Sequence, residues 1–285
     1  RGVGRFGPSH RDRGSEWGRE RVRLWPVTVS RRWEDRMLII VPTVFEAVHL
    51  FGEGVRAPLL ADGSVAVAGV GAASPSGDAP LGHRPWQVAV CGFGLAAAGV
   101  GALAALVSHG AAVGGGALRR AVLVGISGTF DSTHAPVGSV VVGTEAICEG
   151  IGAGTGAEYV SAATMGWSQG HARSWLAASG DRVSLHVPES LRAFASGPIL
   201  SVAAASGDVA HRDDRAARHP DALVEEMEGY AVTLAARLCR VELVVIRGVS
   251  DLVGDRNPAN WEVAKAMAAV SAALTTLAED PSWRE

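Results

Sequence analysis

Short stretches of this chain at residues 37–41 (MLIIV), 88–91 (VAVC) and 121–124 (AVLV) are apolar at every position. A strand with one wet face alternates polar and apolar residues, so runs without alternation are strands buried on both faces. Such strands need helices above and below them. Helical patterns follow at 43–51, from the glycines after residue 91 to about 108, at 221–239 and at 260–278. In the last of these, Val263, Met267, Val270, Leu274 and Leu277 form an amphipathic stripe, and Pro258 stands where a helix start is expected. Further strands are expected at 65–70, 137–142, 183–187, 199–204 and 241–249. Residues 71–86 are a Gly/Pro/Ser-rich loop, and 150–182 carries no readable period. Strands alternating with helices predict an α/β fold in one domain.

With 285 residues, 48% of them hydrophobic, the chain can bury one sizeable core. A net charge of −3 gives no global sign of a nucleic-acid partner. The basic charge is uneven, because residues 1–36 hold ten arginines. That segment lacks apolar periodicity and any continuous signal-peptide core. It is expected to be a disordered extension, or upstream sequence read from a misplaced start with Met37 as the true first residue. The domain is then 37–280. Cys91, Cys148 and Cys239 are scattered, and their odd number fits a reducing, cytoplasmic compartment. No HxxxH or CxxC pair occurs, so no metal is expected. Residues 88–107 carry no charge and are long enough to span a bilayer. Gly92, Gly94, Gly99 and Gly101, without a flanking basic cluster, favour a strand, a turn and a small-residue helix, and no membrane partner.

In α/β sheets, ligands collect at the carboxyl ends of strands. Here those ends are expected at 42–46, 91–94, 125–129, 205–208 and 250–256. Glu46 is the first acid after the first strand. Asp251 follows the apolar run Val244-Val245-Ile246. Glu228 lies near the start of the helix expected at 221–239. Acids converging on one mouth raise each other's pKa into the range useful for acid–base work. Each also has a plain reading. Glu46 is otherwise a first-turn helix acid, and Asp251 a capping residue. Glu225, Glu226 and Glu228 are otherwise partners of the helix dipole on a solvated face. Only one of those glutamates can point inward, because helix neighbours do not share a face. The glycine turns match neither GxGxxG nor a P-loop, and Gly125-Ile126-Ser127-Gly128 is not the G-x-S-x-G elbow of serine hydrolases.

Glu226-Met227-Glu228, then Arg247-Gly248-Val249-Ser250-Asp251, with the segment 124–128 mid-chain and Glu46 near the start, resemble the nucleoside phosphorylase superfamily in its nucleosidase branch. Met227-Glu228-Gly229, the run 250–257 (SDLVGDRN) and Trp261 are similar to the futalosine hydrolases within it. The resemblance implies a three-layer α/β/α domain with a central mixed, twisted sheet. It also implies a homo-oligomer, a small nucleoside as substrate and no cofactor. By the same resemblance, Asp251 protonates the leaving base at N7 and Glu46 activates water. Glu228 accepts the sugar hydroxyls, Met227 packs on the ribose, Ser250 orients Asp251 or the base, and Ser127 and Gly128 lie against the base. Glu225 and Glu226 keep the solvated reading. The aromatic expected after Ser206-Gly207-Asp208 is missing at Val209 and Ala210, which leaves Phe130 or Trp167 to stack on the base. The alternatives are a methylthioadenosine/S-adenosylhomocysteine nucleosidase, a purine nucleoside phosphorylase, or a nucleoside-binding module without catalysis.

Overall fold

The computed structural model describes residues 38–53, 67–70, 86–111, 115–167, 169 and 180–283. The expected extension at 1–36 and nearly all of the loop at 71–86 lie outside them. The strands are β1 (Leu38–Val41), β2 (Val67–Val70), β3 (Trp86–Val90), β4 (Arg120–Thr129), β5 (Val140–Glu149), β6 (Gly152–Ala153), β7 (Val160–Ser161), β8 (Arg182–Ser184), β9 (Ala195–Val202), β10 (Val224–Glu226) and β11 (Glu242–Leu252). The α-helices are α1 (Val44–Phe51), α2 (Gly94–Ser108), α3 (Val209–Arg218), α4 (Gly229–Cys239) and α5 (Val263–Glu279).

Period-2 alternation divides the core. Leu38, Ile40, Leu123 and Val245 pack on one face with Ala98, Ala102 and Leu106 of α2 and Val232 and Ala236 of α4. Ile39, Val41, Val122, Val124, Val244 and Ile246 pack on the other with Ala47 and Leu50 of α1 and Met267, Val270, Leu274 and Leu277 of α5. The expected stripe of the last helix is therefore its buried face. Strands β3, β1, β4 and β11 are parallel neighbours, with β2 antiparallel on the β3 edge. Beyond β11 the order continues through antiparallel β5, then β9 and β10. Strand β10 also pairs antiparallel with β4, so β4, β11, β5, β9 and β10 close into a ring. The mixed sheet between helical layers is the expected one; its closure into a ring goes beyond that expectation.

Several boundaries differ from expectation. Residues 125–128 are not a turn, because β4 runs on to Thr129 and pairs with β11 along its length. Residues 221–239 are not one helix. Val224–Glu226 is a strand held between β9 and β4, and the helix begins only at Gly229. Helix α3 has no counterpart in the expected pattern because it is polar, and its one buried residue is Arg215. The closing helix starts at Val263, since Asn257 and Pro258 open a separate 3-10 turn.

The charge-free stretch at 88–107 is the end of β3, a turn and α2, and no helix among the described residues is long and apolar enough to cross a membrane. Glycine is required inside α2 for packing. A Cβ on Gly101 would overlap the Cys91 carbonyl, whereas one on Gly99 would meet the Ala231 methyl at an ordinary 3.5 Å. Gly→Ala in a helix is otherwise favourable by about 1 kcal/mol. Gly101→Ala is therefore expected to lower the thermal midpoint by several degrees, and Gly99→Ala to hold or raise it, in parallel melts.

Candidate active site

The carboxyl ends of β1, β3, β4 and β11 lie together, and the carboxylates gather there. Thr43 caps α1, accepting the Glu46 N–H at 3.3 Å and donating its hydroxyl to Glu46 Oε2 at 2.7 Å. Glu46 Oε1 accepts the Ile126 N–H of β4 at 3.1 Å. Glu46 is buried, and this desolvation raises its pKa against the Thr43 hydrogen bond and the field of Arg247.

Arg247 is completely buried in β11. Its Nη2 donates to Glu226 Oε2 and, at 3.3 Å, to Glu228 Oε2. Its Nη1 and Glu46 Oε1 both lie against the bare Cα of Gly125, in space a Cβ would fill. Nη1 and Nε have no hydrogen-bond partner among the described residues. Glu226 also accepts the Ser201 hydroxyl, the Glu228 N–H at 2.9 Å and the Gly229 N–H at 2.8 Å. It thereby satisfies the open N–H groups at the start of α4. Glu228 Oε1 accepts the Gly94 N–H at 3.0 Å. Burial pushes the Glu228 carboxyl up to about 7, with Arg247 opposing and Glu226 reinforcing the rise.

A bulge in β11 shapes the second half of the site. Val249 is opposite Ser127 and Asp251 opposite Gly128, so Ser250 is the extra residue. A bulge of this kind re-aims side chains. The Ser250 hydroxyl donates to Asp251 Oδ1 at 2.6 Å, with the Ser127 carbonyl at 3.2 Å, and the Ser127 hydroxyl donates to the Gly248 carbonyl at 3.4 Å. Asp251 Oδ2 faces Gly128, where a Cβ would come within 3.3 Å of it, and receives Arg256 Nη2 at 3.3 Å. Burial raises the Asp251 pKa, ahead of the lowering by Ser250 and Arg256. Gly125, beside Glu46 and Arg247, and Gly128, beside Asp251, are separated by roughly 10 Å of extended β4.

The structure therefore brings Glu46, Glu228, Asp251, Ser127, Gly128 and Ser250 to one sheet edge. Met227, half-buried, packs with Phe130 on Ile147, Leu200 and Val202. Of the aromatics offered for stacking, Phe130 shares the Met227 cluster, while Trp167 is 72% exposed. The solvated reading of Glu225 and Glu226 is overturned, because both are buried. Residues of β10 alternate between faces of a strand; they are not on the wet side of a helix. Glu225 accepts the Ser206 N–H and hydroxyl at 2.7 and 2.6 Å and pairs with buried Arg215 at 2.8 Å. It ties the 204–206 turn to α3. Arg256 adjoins Asp251. Arg247 is the residue that sequence reasoning passed over. Its signal was available, since a charge inside an apolar strand is buried and must be paired. A surface recess of about 180 Å³ around Ser184, Glu242 and Leu243 lies at the other end of β11 and includes none of these acids.

The raised Glu228 carboxyl has a consequence for stability. Its folded value of about 7 exceeds the ordinary 4.5, so the folded chain holds this proton more tightly. The stability it contributes is complete below pH 4.5 and is lost as pH rises to about 7. Denaturant unfolding between pH 5 and 7.5 is expected to show falling stability in the native chain and a flatter slope in Glu228→Gln.

The family model described as the phosphorylase superfamily matches residues 81–280. A futalosine hydrolase from Streptomyces coelicolor is 31% identical over 207 residues, covering 68% of this chain and 82% of that protein. Among solved structures, a 5'-methylthioadenosine/S-adenosylhomocysteine nucleosidase from Neisseria meningitidis in complex with methylthio-immucillin-A superposes with a TM-score of 0.58 at 16% identity, over 85% of this chain and 97% of that one. The futalosine hydrolase of Helicobacter pylori superposes with a TM-score of 0.57 at 12% identity, over 85% and 96%. At those identities the structural likeness speaks for the fold, and the sequence matches speak for descent. With a family model matched over most of its length, the chain belongs to the phosphorylase superfamily.

Proposed function

We propose that the chain is an N-glycosyl hydrolase that cleaves futalosine to hypoxanthine and dehypoxanthine futalosine, a step of menaquinone biosynthesis. The observation that carries the hydrolytic reading is the charge around Arg247. Glu46, Glu226 and Glu228 surround one guanidinium that is already engaged by Glu226 and Glu228. Such a cluster repels inorganic phosphate and suits neutral water and sugar hydroxyls. The Streptomyces coelicolor relative supports the choice of futalosine.

The mechanism follows from the acids. Glycosidic cleavage passes through an oxocarbenium-like sugar. Protonated Asp251 gives its proton to N7 as the C1′–N9 bond breaks and its electron pair moves into the base. Ser250 and Arg256 then stabilise the carboxylate left behind. Glu228, ionised, accepts the ribose hydroxyls and follows the growing positive charge on the sugar. Met227 packs against the ribose, and Ser127 and Gly128 border the base. Water adds to C1′ and releases its proton to Glu46, which burial makes a stronger base. Solvent exchange then returns the proton to Asp251. We further propose a cytoplasmic, homo-oligomeric enzyme. The cysteines Cys91, Cys148 and Cys239, all buried and free, support a reducing compartment.

Incubation with futalosine in phosphate-free buffer is expected to release hypoxanthine. Adenine release from methylthioadenosine with futalosine left intact would move the enzyme to the adenosine-type nucleosidases, and a strict phosphate requirement to the phosphorylases. Asp251→Asn is expected to lower kcat about 10²- to 10⁴-fold with little change in thermal midpoint. An unchanged kcat excludes Asp251 as the acid.

A further inference from the structure

The loop after β11 builds a second donor beside Asp251. The Asp255 carboxylate accepts the Asn257 N–H at 2.9 Å and the Asn260 amide at 2.8 Å. Its carbonyl accepts both the Trp261 indole N–H and Arg256 Nε at 3.1 Å. The Arg256 guanidinium lies over the Trp261 ring, 5.0 Å from its centroid. Held along its stem and on its face, it brings Nη2 to 3.3 Å from Asp251 Oδ2. The Arg256 side chain is 40% exposed, and an ion pair this open is worth ~1 kcal/mol or less. Stability alone therefore does not account for so fixed a guanidinium. Asp251 Oδ1 is engaged by Ser250, and Oδ2 is the oxygen facing Gly128. Once Asp251 carries its proton, the site presents two donors side by side, Oδ2–H and Nη2–H.

We infer that Arg256 is a specificity-determining residue that selects 6-oxopurine nucleosides, donating to O6 while Asp251 engages N7. The edge of a 6-oxopurine bears adjacent acceptors, N7 and O6, whereas a 6-aminopurine bears an acceptor and a donor. A guanidinium matches the first pattern and opposes the second. A lone carboxyl could serve either base, giving a proton to N7 from one oxygen and accepting a 6-amino group at the other. Here that other oxygen already receives the Ser250 hydroxyl. The inference rests on the proposed futalosine reading, whose base is a 6-oxopurine.

The test compares futalosine with its 6-amino analogue, identical except at that position, in the native enzyme and in Arg256→Met. The ratio of kcat/KM for the 6-oxo over the 6-amino substrate is expected to fall about 10- to 100-fold. An unchanged ratio overturns the inference. Equal loss on both substrates does so too, and would assign Arg256 to a part of the substrate that the two share. Binding of free hypoxanthine and free adenine, measured by calorimetry, gives a readout independent of turnover. Native preference for hypoxanthine that disappears in Arg256→Met supports the selector. If the native enzyme leaves futalosine intact yet shows that preference, the proposed function fails and the selector stands.

Discussion

A fully buried guanidinium, Arg247, lies at the centre of the site, and the burial of the acids around it depends on it. An unpaired ion in a protein interior costs far more than a domain can spare. Arg247 offsets part of that cost for Glu226 and Glu228 directly and for Glu46 through space. Its charge is shared unevenly. Glu226 is fully occupied by Arg247, Ser201 and the N–H groups of α4. Glu228 receives weaker bonds from Arg247 and Gly94 and keeps a raised pKa. Nearby glutamates of one short segment thus differ in role, because one is fully paired in the scaffold and the other only loosely held.

The sheet makes this arrangement reachable. Closure of β10 onto β4 carries Glu225–Glu228 across to the ends of β4 and β11. Bare Cα positions at Gly125 and Gly128 leave room for Arg247 with Glu46 and for Asp251. The bulge at Ser250 turns that hydroxyl onto Asp251. Around this core, the Glu225–Arg215 pair holds the turn before α3, and the Asp255 carboxylate closes the turn after β11.

The legible parts of the sequence share a physical cause. Runs such as 121–124 and the stripe from Val263 to Leu277 are buried by the sheet–helix layering, so period and hydrophobicity reported them directly. Glu46 and Asp251 were legible because each is the first acid beyond an apolar strand. Helix α3 was not, because a buried ion pair at Arg215 anchors it and no apolar stripe does. The sequence pattern predicts helix across β10 because a short polar segment has no period to distinguish the two. Its strand state comes from neighbours distant in sequence.

The sequence by itself determined the alternation of buried strands and helices, the acids at strand ends and the spacing of the two C-terminal motifs, since these are local properties of residue type and order. Only the tertiary structure decided which glutamate of Glu225, Glu226 and Glu228 is fully paired in the scaffold and which is loosely held, and where Arg256 reaches. Those outcomes depend on Arg247, Arg215, Ser201 and Gly94, partners from other elements whose approach no local pattern encodes.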